Sequence, residues 1–153
     1  MKENKQIGAV CKYFENRIGK MYYEVHGRDD APAILFSHGV SMSHETFKPQ
    51  AEGLQDKFRV IIWDMLNHGQ STPLNDQLPF SETTADYIVD LLDYLIIEKA
   101  VLAGLSLGSY VTQIIAHKYP ERGAAENGKA VMAHLTRELM RDMVRGLPGH
   151  LQV

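Results

Sequence analysis

Three short apolar runs set the terms on which this chain can fold: Ala33-Ile-Leu-Phe-Ser37, Phe58-Arg-Val-Ile-Ile-Trp63 and Ala100-Val-Leu-Ala103. None alternates regularly between apolar and polar residues, which is the pattern of strands buried on both faces, and such strands belong to sheets covered by helices. The intervals between them carry helical signals. Residues 44–56 have helical character, and Ser81 to Ile97 reads as an amphipathic helix in which Tyr87, Ile88, Leu91, Leu92 and Leu95 repeat at three and four, with Ser81 as its N-cap. A third helix runs from Gly108 to Tyr119 and stops at Pro120. Upstream, Val10 to Phe14 and Met21 to Val25 form a hairpin around Ile18-Gly-Lys20. A hairpin followed by strands and helices in alternation predicts an α/β fold, a mostly parallel sheet with helical crossovers.

The alternation stops after Arg122. Gly123-Ala-Ala-Glu-Asn-Gly128 is a loop-like break, Lys129 to Arg145 reads as one more helix, and Gly146-Leu-Pro-Gly149 is a turn. The chain is expected to form one domain over 1–153, with an α/β core over 8–122 and an atypical helical segment over 123–153.

Composition narrows the function classes. With 44% hydrophobic residues, 23% charged residues and a formal net charge of −3, the chain has the profile of a soluble globular domain and lacks the basic excess of a nucleic-acid partner. A lone cysteine, Cys11, allows no internal disulfide and no cysteine metal cluster, which predicts a reducing, cytoplasmic setting and no metal or cofactor. No run approaches the roughly 18 apolar residues of a membrane span, and Met1-Lys-Glu-Asn-Lys-Gln6 is not followed by an apolar signal core.

The chemistry is concentrated at Gly104-Leu-Ser-Leu-Gly108. A serine on a sharp strand-to-helix turn takes a strained backbone conformation, and glycines two residues either side remove side chains that would collide there. Ser106 is therefore the candidate nucleophile. The helix beginning at Leu107 directs free N–H groups and its positive dipole end toward the same point, where negative charge would develop on an attacked carbonyl. In Phe36-Ser-His-Gly-Val40, His38-Gly39 follows a buried strand and leaves the N–H of Val40 able to face that pocket. The N–H groups of Val40 and Leu107 would make a two-donor oxyanion hole. Trp63-Asp-Met-Leu-Asn-His-Gly-Gln-Ser71 follows the next strand, and its Asp64, His68 and Ser71 are expected to tie up loop backbone, not to act as catalytic groups.

Taken in order, His38-Gly39, Asp64 through His68-Gly-Gln-Ser71, Gly104-Leu-Ser-Leu-Gly108 and Tyr119-Pro-Glu-Arg122 resemble the N-terminal half of an α/β-hydrolase, and with the hairpin the resemblance covers residues 8 to 122. Asn67 departs from the family's usual glycine in the D-x-x-G-H-G-x-S loop, but asparagine tolerates positive φ well. The resemblance implies a serine hydrolase acting on a small-molecule acyl substrate (an ester, a lactone or similar), with an acid and a histidine supplied after later strands in the order Ser, Asp/Glu, His. Family members run well beyond 200 residues, so this chain resembles a hydrolase whose later strands are missing.

His117 sits three turns beyond Ser106 and His134 lies in the last helical pattern, so both are expected on the surface or in packing. Asp142 and His150 stand in the right order, yet only seven residues separate them and no strand pattern intervenes. Two readings follow: a compressed triad, or a C-terminal segment of cap or pre-strand material in a truncated or internally deleted hydrolase. The abrupt loss of pattern after Arg122 favours the second. Such a chain would leave the Ser106 strand near an open sheet edge, an invitation to self-association. The alternative to an esterase is a non-catalytic binding or interaction fragment completed by a partner chain.

Overall fold

The computed structural model describes residues 9–75 and 77–123. Strands β1 (Val10–Glu15) and β2 (Lys20–His26) form the expected hairpin, and β3 (Ala33–Ser37), β4 (Arg59–Trp63) and β5 (Ala100–Gly104) follow the three apolar runs. They make one sheet in the order β1-β2-β4-β3-β5. β3 pairs in parallel with both β4 and β5, while β2 pairs antiparallel with β1 and β4. The parallel part is the one joined by helical crossovers, because a parallel return needs a long connection whereas a hairpin needs only a turn.

Helices α1 (Lys48–Leu54), α2 (Phe80–Tyr94) and α3 (Leu107–Lys118) cover the two faces. Successive strand residues alternate between them. Leu35, Ile61, Trp63 and Leu102 pack with Tyr87, Ile88 and Leu91 of α2 and Val111 and Ile115 of α3. Ile34, Phe36, Val60, Ile62 and Ala103 meet Phe47 and Ala51 on the α1 side, where Phe36 and Phe47 stack at 4.9 Å. This accounts for the unbroken hydrophobicity of the runs: both parities of each strand are buried, and each large side chain so buried contributes about 1.5–3 kcal/mol.

Helix ends depart from expectation by a residue or a turn. α2 begins at Phe80, with Pro79 and not Ser81 at its N-cap position. The fixed φ of Pro79 is compatible with chain entry, and its carbonyl accepts the first helical bond from the Thr83 N–H at 3.0 Å. The helix ends at Tyr94 instead of Ile97, because Ile96 takes a positive φ of 56° and projects into solvent. The stretch 44–56 divides into a 3₁₀ turn, His44–Phe47, and α1, with Pro49 in the first turn of α1.

The carboxyl ends of β3, β4 and β5 share one end of the sheet, so the loops following them converge there, which is where open α/β sheets bind ligands. β5 is an edge strand among the described residues, apart from one parallel bridge between Ala100 and Gly123. The helical segment read over Lys129–Arg145 lies outside the described residues, as do His134, Asp142 and His150.

The Tyr87 hydroxyl of α2 donates to the carbonyls of Phe14 (3.0 Å) and Gly19, fastening the helix to both ends of the hairpin turn, and burial pushes its pKa up to about 12. Tyr87→Phe is expected to lower the unfolding free energy by about 1–2 kcal/mol, measured by urea titration, with the far-UV spectrum unchanged.

Candidate functional site

Where β5 turns into α3, Ser106 has φ 51° and ψ −115°, a sparsely populated conformation for a residue with a side chain. The neighbouring glycines are the reason the turn can close. A Cβ on Gly104 would overlap the carbonyl carbon of Gly108, and a Cβ on Gly108 would lie on the carbonyl oxygens of Ser37 and His38. The first turn of α3 is thus pressed against the end of β3, with Leu105 N–H donating to Ser37 O at 3.0 Å and Gly108 N–H to Leu105 O at 2.9 Å. Ser106 is exposed, and among the described residues its hydroxyl makes no hydrogen bond. The Leu107 N–H, at the first position of α3, likewise donates to no described group.

The loop after β3 comes alongside. A Cβ on Gly39 would sit 3.6 Å from the Ser106 Cβ and 3.1 Å from the Met42 sulfur. Val40 follows, 61% exposed, and its N–H donates to no described group. His38 is completely buried; its Nε2 accepts from the Met65 N–H at 3.0 Å, so its proton is on Nδ1, which donates to Gly39 O at 2.7 Å. Burial holds the His38 pKa below the ordinary histidine value, and His68 adds to the effect, against the opposing influence of the Gly39 carbonyl and Asp64. The imidazole is a neutral structural strut.

The loop after β4 has the backbone-tying role read from sequence. Asp64 accepts from the Gln70 N–H at 2.8 Å, the Ser71 hydroxyl donates to Asp64 O at 2.6 Å, and His68 Nδ1 donates to Leu66 O at 2.9 Å. Asn67 takes φ 67°, as its tolerance of this region predicts, and its side-chain oxygen accepts from the Leu74 N–H at 2.6 Å. His117 is exposed in the last turn of α3, at the opposite end of that helix from Ser106.

Sequence reasoning missed a buried polar cluster beneath these loops. Glu24 of β2 accepts from the Tyr22 hydroxyl at 2.8 Å and from His26 Nε2 at 2.8 Å, and its other neighbour is His44 Nε2 at 3.4 Å. His44 in turn donates from Nδ1 to Asp64 at 2.8 Å. Burial alone would raise the Glu24 pKa, but the bonds from His26 and Tyr22 and the neighbouring Lys48 ammonium outweigh it and hold the carboxyl below its usual range. One signal was available in the sequence. Tyr22, Glu24 and His26 are spaced by two in β2 and so share one face.

The sequence pattern of the alpha/beta hydrolase fold matches residues 32–151. The chain belongs to this family. It is 35% identical over 94 residues to 3-oxoadipate enol-lactonase 1 of Acinetobacter baylyi, a match covering 61% of this chain and 35% of that one. It is 30% identical over 151 residues to the (E)-2-((N-methylformamido)methylene)succinate hydrolase of the same organism, covering 96% of this chain and 56% of that one. Among solved structures it resembles the naproxen esterase of Bacillus subtilis, with 28% identity and a TM-score of 0.69 over 78% of this chain and 42% of that one. This alpha/beta hydrolase fold chain thus spans between about a third and somewhat over half the length of these curated relatives.

The buried groups predict a pH dependence with a definite sign. His38 is neutral in the fold and its folded pKa lies below the unfolded value, so its contribution is present above about pH 6.5 and is lost as pH falls through the folded pKa. Glu24, also depressed, adds a second loss on acidification below about pH 4.3. The urea midpoint of the wild type should therefore fall between about pH 7.5 and 5.5, and His38→Asn should flatten that fall. Equal slopes in wild type and variant would refute the assignment to His38.

Proposed function

We propose that the chain is a serine hydrolase acting on carboxylic esters, lactones or similar small acyl substrates, with Ser106 as nucleophile. The observation that carries this reading is the Ser106 turn itself: an exposed hydroxyl on a strained residue, at the positive end of α3, beside a loop amide that donates to no described group. Strain of this kind persists only where the surroundings enforce it, and it collects at functional sites. Relatives whose names describe a lactonase and a carboxylesterase support the acyl class of substrate.

In this reading the Ser106 oxygen attacks the substrate carbonyl carbon while a base accepts its proton. The tetrahedral oxyanion is held by the N–H groups of Val40 and Leu107. The carbon–oxygen bond to the leaving group then breaks, the leaving oxygen takes up the proton, and water hydrolyses the acyl-serine to release the acid. Gly104 and Gly108 give the turn its room, His38 and Gly39 hold the loop that carries Val40, and no metal or cofactor enters any step. The base and its acid are not assigned among the described residues; Asp142 and His150, which stand in the family's order, lie outside them. The single cysteine fits a reducing, cytoplasmic setting.

A second reading follows from the Ser106 hydroxyl having no hydrogen-bond partner among the described residues: a non-catalytic binding fragment that keeps the turn as architecture. A fluorophosphonate probe separates the two. The hydrolase reading expects fast labelling of the folded chain, none for Ser106→Ala and none after heat unfolding, together with hydrolysis of short-chain aryl esters that Ser106→Ala abolishes. A folded wild type that neither labels nor hydrolyses would establish the second reading.

A further inference from the structure

The loop that brings Val40 to Ser106 is a staple with two feet, both held by consecutive residues at the end of β4. The first foot is His38, whose Nε2 takes the Met65 N–H at 3.0 Å. The second is His44, whose backbone N–H and ring Nδ1 both donate to the same Asp64 carboxylate oxygen, at 2.6 and 2.8 Å. The His44 ring is buried, faces Tyr22 at 4.7 Å between centroids, and on its far side has Nε2 3.4 Å from Glu24 and 3.2 Å from Glu45. Between the feet the chain has little freedom. Gly39 O accepts from His38 Nδ1 and from the Met42 N–H at 3.2 Å, and Ser41 takes φ 60°. Because the peptide is planar and trans, fixing the Gly39 carbonyl fixes the opposite direction of the Val40 N–H.

We propose that His44 is a positioning residue for the reaction at Ser106: by anchoring the second foot on Asp64 it keeps the Val40 N–H aimed at the developing oxyanion. This rests on the hydrolase reading given above. Losing the ring bond leaves the second foot held by the His44 backbone N–H alone, so the foot loosens and the amide can swing out of line while Ser106 and the substrate surface stay in place. The effect then falls on the chemical step and spares binding, since an oxyanion donor acts on charge that exists only in the transition state.

Two substitutions separate positioning from bulk. His44→Phe keeps a ring against Tyr22 and the backbone N–H bond to Asp64 but removes the ring donor, whereas His44→Asn keeps an N–H near the Nδ1 position. With the fluorophosphonate probe, His44→Phe should lower the limiting phosphonylation rate constant by about 10- to 100-fold while the probe's dissociation constant stays within about twofold, and His44→Asn should recover most of the rate. Backbone hydrogen exchange over residues 39–42, measured on the same full chains, should quicken in His44→Phe and not in His44→Asn. If His44→Phe does not fold, His44→Gln, whose longer side chain carries its donor away from that position, is measured in its place. An unlabelled wild type would overturn the hydrolase reading and leave the exchange measurement to decide whether His44 holds the loop. A folded His44→Phe with unchanged exchange over 39–42, or one whose loss is matched by His44→Asn, would overturn the role of His44.

Discussion

The close approach of Gly108 to the carbonyls of Ser37 and His38 is the contact on which the arrangement of this end of the molecule depends. It allows the first turn of α3 to lie directly against the end of β3, so that the helix N-terminus, the turn at Ser106 and the loop beginning at His38 occupy one small volume. Any side chain at position 108 would hold the helix off the sheet. The Leu105 N–H to Ser37 O bond and the final β3–β5 pair, Ser37 with Gly104, would then have to open. The strain at Ser106 is tolerable because these bonds and the two-sided burial of β3 and β5 leave the turn no alternative path.

Beneath that surface the chain buries an unusual density of titratable groups: Glu24, His26, His38, His44 and Asp64. Burying charge costs several kcal/mol per ion unless partners and hydrogen bonds replace water, so clusters of this kind are weak evidence for stability taken alone. Here the partners are present and directional. Glu24 collects bonds from Tyr22 and His26, Asp64 collects two from His44 and one from Gln70, and the neutral His38 bridges Met65 to Gly39. What such a network supplies is uniqueness of loop conformation. The loops after β3 and β4 contain Ser41 and Asn67 at positive φ, and the network adds directional bonds to the apolar anchoring of Met65 and Leu66.

The parts of this architecture that were legible in the sequence are those in which one residue type satisfies one local demand. Continuous apolar runs specify two-faced burial, Gly104 and Gly108 specify a crowded turn, and Asn67 announces a positive φ. All three are found as read. The Ser81 cap was misplaced because serine preference at an N-cap is a weak signal beside proline's fixed φ, and Pro79 took the position two residues earlier. The His44–Asp64–Glu24 cluster was invisible for a different reason. Its members come from β2, the start of the 3₁₀ turn and the end of β4, and only the sheet order β2-β4-β3 brings them together. In sequence His44 is an unremarkable polar residue entering a helical stretch.

The same distinction bears on how the work at a site of this kind is divided. A nucleophile turn and two backbone donors can be written locally, in pentapeptides that carry their geometry with them, whereas a base must be brought from a distant segment. Preorganised donors are commonly the largest electrostatic contribution to acyl transfer, and in serine proteases a residual catalysis of about 10³–10⁴ over water survives removal of triad members. Donors aimed by buried loop anchors therefore do not depend on the base for their own placement. In the proposed site the loop that carries Val40 is tied to Asp64, Met65 and the end of β3, all within the first hundred or so residues, so on that reading the donors can be placed independently of the segment that would activate Ser106.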